Sequence, residues 1–208
     1  MKKRQFKKLD NSISSFQWIK KKSERYWQKV DLMECWGFQI QEGSKWKKGL
    51  SEPELEDFQK QLNITFPESL KNYYRTMNGL DKPGIDNNGG EGEIDFGPIF
   101  YSYPDDIPII KARIKLTLEA NRVTEDIMKN QNVPPIIPYL GHRFLILDHE
   151  ETVLSMFGDD IIFWGGNLAK GIAQDIFPIR HAEKKKIEVS ALLAHLATQS
   201  GPVLRSEE

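Results

Sequence analysis

The chain has 208 residues, and its 29 Lys+Arg almost cancel its 30 Asp+Glu, leaving a formal charge of −1. That length suits one globular domain with appendages, or two small ones, and a chain of this size buries roughly 70% of its unfolded surface without disulfide staples. At 39% hydrophobic, 28% charged and 11% aromatic residues the composition excludes wholesale disorder, and the single Cys35 excludes an internal disulfide framework or a multi-cysteine zinc site. No apolar run approaches the roughly 20 residues needed to cross a bilayer. The basic start, Met1–Lys8, has the charge of a secretory leader but no apolar core follows it, so a cytoplasmic protein is expected.

Charge is spread unevenly. Residues 1–48 carry 13 basic and 5 acidic groups, residues 49–110 carry 4 and 12, and residues 111–208 carry 12 and 13. The first two segments can attract oppositely charged partners or each other, provided each patch folds onto one face within the screening length of about 8 Å.

In chain order, residues 1–10 are basic, poor in large apolar groups, and expected to be mobile. From Ser12, apolar residues at Ile13, Phe16, Ile19, Tyr26, Val30 and Met33 follow helical spacing, with Ser23 in the gap and Lys20, Lys21, Lys22, Arg25 and Lys29 on the remaining circumference. The expected arrangement is a helix packed on the domain with a solvated basic face. Ser51-Glu52-Pro53-Glu54 is a capping box that opens a helix striped by Leu55, Phe58 and Leu62. Pro67 then starts a second helix through Leu70, Tyr73, Tyr74 and Met77, which Asn78-Gly79 is expected to end in a left-handed cap.

Residues 81–98 read as a loop, followed by short β segments near Ile94–Phe96 and Ile99–Tyr101. Asp105-Asp106-Ile107-Pro108 opens a long helix carrying Ile107, Ile110, Ile114, Leu118 and Ile127, and residues 130–138 form a proline-rich connection. Arg143–Asp148, Thr152–Phe157 and Asp160–Trp164 read as strands, joined by turns at Asp148–Glu151 and Gly158-Asp159 that are short enough for antiparallel hairpins. Asn167 caps a short helix to Phe177, and Val189, Leu192, Leu193 and Leu196 stripe a last one.

Signatures of catalysis are missing. Gly166 and Gly171 are spaced like P-loop glycines, but Ile172 and Ala173 stand where Lys and Ser/Thr must meet phosphate and magnesium. The carboxylates around Gly89-Gly90-Glu91-Gly92-Glu93, with Asp86 and Asp95, are hard-cation donors without the EF-hand order. His142, His149, His181 and His195 lack metal-ligand spacing, Cys35 has no activating base in view, and Asp105 with Asp106 is explained by helix capping. No metal or other cofactor is therefore expected. Trp18, Tyr26, Trp27 and Trp36 among basic residues could stack bases, but the charge of −1 opposes nucleic acid as partner.

Read together, Trp46, Gly49-Leu50-Ser51-Glu52-Pro53-Glu54-Leu55, Phe66-Pro67-Glu68-Ser69-Leu70, Tyr73-Tyr74 and Asn78-Gly79 resemble the opening of the SUKH superfamily. This family includes fungal cell-wall-assembly regulators and bacterial toxin-immunity proteins. Ile137-Pro138-Tyr139, Leu145-Ile146-Leu147-Asp148 and Val153 to Gly165 look like its later strands, although Gly141-His142-Arg143 departs from the usual Gly-Gly-Asp-like turn. The resemblance covers roughly residues 46–178, with a basic extension at 1–45 and a C-terminal helix and tail at 179–208.

What the resemblance implies is an α+β fold, a twisted and mostly antiparallel sheet with helices packed around it, and no enzymatic activity. It implies a protein-binding module: an immunity protein that neutralises a cognate toxin such as a nuclease by occlusion, or alternatively a regulatory or scaffold adaptor in a signalling or cell-envelope complex. Its motif residues are scaffold, so partner choice is expected in variable surface such as the acidic Asp81–Asp106 region. Asp86, Glu91, Glu93 and Asp95 are the expected steering charges. Trp164 is an anchor candidate if exposed, although its place in a strand favours burial.

Overall fold

The computed structural model describes residues 3–29, 37–87 and 95–177. Val30, Met33, Cys35, Trp36, Glu91, Glu93, His181, His195 and the expected helix around Val189–Leu196 lie outside the described residues. The fold is α+β. Among the described residues the antiparallel sheets are β1(Gly37–Gln39) with β4(Gly84–Asn87) and β5(Asp95–Gly97), β2(Trp46–Lys48) with β3(Met77–Leu80), and the meander β6(Ile136–Leu140), β7(Arg143–Ile146), β8(Val153–Phe157), β9(Asp160–Gly165).

Residues 3–10 are built into the fold. A short helix α1(Lys3–Lys7) precedes Leu9, which is buried and whose carbonyl accepts from Asn167 Nδ2 at 3.1 Å. The expected mobility is thus corrected for residues 3–10: one leucine and the half-buried Phe6 join the core, enough to fix the segment. Helix α2(Ile13–Tyr26) starts at Ser12, whose Oγ accepts from Ser15 N. Its buried stripe is Phe16, Ile19 and Ser23, continued by Trp27 in the 3-10 turn that follows, whereas Ile13 and Tyr26 are exposed. Spacings of 3, 4 and 4 keep those four positions on one helical face.

Trp46 is the hub beneath α2. Its ring lies 4.6 Å from Phe100, 5.5 Å from Trp27 and edge-on to Tyr73 at 6.3 Å, while its indole N–H donates to Ser23 Oγ at 2.7 Å. Its backbone N–H donates to Glu24 Oε1 at 3.2 Å, and Lys20 Nζ donates to the carbonyls of Lys47 and Thr76. Two charged residues of α2 therefore point inward, to satisfy backbone groups at the ends of β2 and the helix beneath it.

Helix α3(Glu52–Leu62) begins as the capping box predicts, Glu54 accepting from Ser51 N at 2.7 Å and Ser51 Oγ at 2.6 Å, and Leu55 and Phe58 are buried. Helix α4(Glu68–Thr76) follows Pro67 but stops one residue before Met77. Asn78-Gly79 does not end the helix; it belongs to β3. Gly79 takes the expected positive φ of +69° because its α-carbon passes so close to the 100–102 segment that a Cβ would meet Ser102 Cβ at 2.6 Å. Asn78 clamps Tyr103, donating to its carbonyl at 2.6 Å and accepting from its N–H at 2.8 Å.

The stretch read as a loop at 81–98 contains the β4–β5 hairpin instead. The long helix expected through Ile127 is two helices, α5(Ile107–Ala120) and α6(Glu125–Asn130). Arg122, at φ +56°, breaks them in a left-handed cap: Arg122 N–H donates to Glu119 O and Val123 N–H to Leu118 O, and Thr124 then caps α6. The proline-rich connection yields β6 from Ile136 onward. The later strands and the turn at Gly158-Asp159 form as expected, Phe157 facing Asp160 across a two-residue hairpin with Gly158 at φ +59°.

One face of the four-stranded sheet packs on α7(Leu168–Ile176) within the main core. The other face, with Phe144, Leu154, Met156 and Ile161, packs on α5 and α6. Alternation along each strand sends successive residues to these two sides.

Candidate interaction site

The acidic stretch resolves into separate roles. Asp81 Oδ1 accepts from Lys45 N at 2.7 Å, Asp106 accepts from Ser102 N and Oγ at 2.7 and 2.8 Å, and Asp105 faces Lys47 Nζ at 3.1 Å. The first two hold the chain to its own backbone, and the third is a surface ion pair of the kind that contributes about 0–1 kcal/mol. They border a cleft of about 290 Å³ whose wall includes Phe100 and Lys82.

Asp86 and Asp95 stand directly opposite one another across the β4–β5 hairpin, with Phe38 of β1 opposite Asp86 on the other side. Glu91 and Glu93 belong to the connection between these strands, outside the described residues.

Trp164 is buried, at 8% exposure. A register shift between Val153 and Leu154 sets it as the extra residue of β9, on the face toward α7. There the Arg143 guanidinium lies 3.6 Å from the centroid of its ring. The condition for a partner-contacting anchor, exposure, is therefore not met, and the indole is an interior wall.

Sequence reasoning missed the polar network around this tryptophan. Arg143 Nε donates to Asp175 Oδ1 at 3.0 Å, Arg143 Nη1 to Ser155 Oγ at 2.7 Å, and Tyr139 Oη to Asp175 Oδ2 at 2.9 Å. The Arg143 and Asp175 side chains are only 13% and 6% exposed. Burial pushes Asp175 up to about 6, against the opposing pull of Arg143, Tyr139 and Trp164. Burial also raises the Tyr139 hydroxyl well above its ordinary range. One residue from each of four strands and one from α7 thus meet, and each donor is used in holding the carboxylate or the sheet. The arrangement is an interior clamp that ties β7 to α7.

The other candidates disperse. His142 and His149 sit at opposite ends of β7, the first edge-on to Phe157 at 5.8 Å. Gly171 is needed for packing, since a Cβ there would meet Tyr139 Oη at 2.9 Å. Trp27 is buried, while Trp18 and Tyr26 pack on Phe177. Among the described residues no group of three or more His, Cys, Asp or Glu could hold a metal ion. Among them, too, no helix is long and apolar enough to cross a membrane.

No curated protein and no solved structure gives a significant match. A family profile does, across residues 49–190, from the capping box through the sheet and α7. The chain belongs to the SMI1 / KNR4 family (SUKH-1).

Proposed function

We propose that this protein is a non-catalytic binding module of the cytoplasm, acting as an immunity protein that neutralises a cognate toxin by covering its working surface. The observation that carries the reading is the β4–β5 hairpin, which sets two aspartates at opposed positions within a family whose members include immunity and regulatory proteins. Asp86, Glu91, Glu93 and Asp95 fall within ten residues of sequence, and so dense an acidic stretch favours a partner rich in Lys and Arg, as a nuclease is. Asp86 and Asp95, with Glu91 and Glu93 between them in sequence, steer the encounter; shape complementarity then sets the dissociation rate.

The test is reversal of the four charges to Lys, followed by measured association with the product of an adjacent toxin gene at low and physiological salt. A fall of roughly tenfold or more in the association rate at low salt, shrinking as salt rises, supports the reading. An unchanged rate rejects the steering role. Absence of any neighbouring toxin gene, with capture of the protein in a stable signalling or envelope complex, replaces immunity with the adaptor role.

A further inference from the structure

An open cavity lies away from the acidic hairpin. It is a groove of about 670 Å³ between the end of α3, the side of α5 and the α5–α6 turn. Its floor is Leu62, Ile64, Ile114, Leu118, Val123 and Met128, all partly exposed. Every polar residue that borders it is a solvent-exposed rim position, and Thr124 Oγ is already occupied as the cap of α6. Nothing in the floor could orient a small polar ligand. An unbroken apolar trough with charges only along its margins matches instead the apolar stripe of an amphipathic helix.

The rim charge decides which helix. Glu119 is paired with Lys115 at 3.8 Å, and Glu125 with Lys129 at 3.9 Å. Among the described residues, Lys111 and Arg122 have no carboxylate within ion-pair reach. Arg122 also occupies the left-handed position of the α5 cap, where glycine is the relaxed residue. A bulky cation held in a strained backbone position at the margin of an apolar groove points to a use for that cation.

We infer that this groove binds an amphipathic helix of a partner protein, its Leu/Ile stripe on the floor and its acidic flank against Lys111 and Arg122. This surface shares no residue with the acidic hairpin, so the two proposals fail separately.

The experiment uses the full chain and two synthetic peptides of about 15 residues with leucines at i, i+3, i+4 and i+7. One peptide has Glu and the other Lys at the flanking positions, and binding is followed by fluorescence anisotropy. The Glu peptide binds and the Lys peptide binds at least about tenfold more weakly, a discrimination that Lys111→Glu abolishes and Leu62→Glu removes by eliminating binding altogether. Arg122→Gly relaxes the backbone while deleting the cation, so weaker Glu-peptide binding to this variant with thermal stability held or raised cannot come from unfolding. Equal binding of both peptides, or no binding of either, overturns the proposal. It is also overturned if the peptide binds only after Leu192→Glu/Leu193→Glu, which would mean that the chain's own tail fills the groove. Sedimentation showing a dimer that Leu62→Glu dissociates would assign the groove to a second copy and overturn it equally.

Discussion

Arg143 and Asp175 are 32 residues apart in the chain and 3.0 Å apart in the fold, joining the second strand of the meander to the helix that covers it. Two opposite charges so deeply buried are costly to separate, because removing either leaves the other desolvated without a counter-ion. Arg143→Met, which leaves the Asp175 carboxylate buried without its counter-ion, is expected to lower stability by about 3–5 kcal/mol, read from the urea midpoint. The double change to Met and Leu should cost less than Arg143→Met alone. Arg143→Lys should not restore stability, since an ammonium cannot both fork toward Asp175 and Ser155 and stack on Trp164.

The same carboxylate predicts a dependence on pH. Burial raises Asp175 from its ordinary 3.8 to about 6, so the folded chain holds a proton that the unfolded chain has released. Stability from this group is present below pH 4, falls as pH rises from about 4 to 6, and is level above, a loss of up to about 3 kcal/mol. Asp10, drawn down to about 2 by the hydroxyls of Ser12 and Ser15, works the other way: its contribution is lost as pH falls below about 4. Urea midpoints at pH 4, 5, 6 and 7 should therefore decline in the wild type relative to Asp175→Asn, in which the decline is absent.

Ser23→Ala removes the acceptor of the Trp46 indole N–H in a buried setting. An orphaned buried donor costs about 1–3 kcal/mol. Calorimetry should show that loss, while Ser14→Ala, on the exposed side of α2, should change the midpoint little.

Gly79→Ala tests the backbone crossing. The positive φ and the approach of Ser102 penalise a side chain together, so a loss of more than about 2 kcal/mol is expected. The same change at Gly166, whose Cβ would meet nothing, should be near neutral and serves as the control.

Which of these features could be read in advance follows from how local each one is. The Ser51–Glu54 box, the Gly158-Asp159 turn and the Asn167 cap are complete within a few residues, and each formed as its residues predict. Asn78-Gly79 reads as a helix end because a helix cap and a strand crossing ask for the same glycine; only Ser102, 23 residues on, distinguishes them. The break in α5 did carry a signal, Thr124-Glu125-Asp126 being a helix-start pattern, but the continuing isoleucine spacing masked it. Of the expected site residues, register brings Asp86 and Asp95 together, something no single strand's pattern can reveal. Arg143, Ser155, Trp164 and Asp175 are each ordinary in their own segments, and their network exists only once the meander and α7 are assembled.

The way α2 is seated bears on anyone who would shorten this polypeptide. Leu9, Phe16, Ile19 and Trp27 are buried, with α2 packed against α4 and α7 of the matched segment, and at roughly 2–3 kcal/mol for each large apolar side chain they rival a typical domain's entire margin of about 5–15 kcal/mol. A recombinant fragment cut at the matched segment, 49–190, would also discard Trp46, and would leave Tyr73 and Phe100 facing water. Such a fragment should precipitate or bind hydrophobic dyes, because Leu9, Phe16, Ile19, Trp27 and Trp46 share one continuous core with the matched segment.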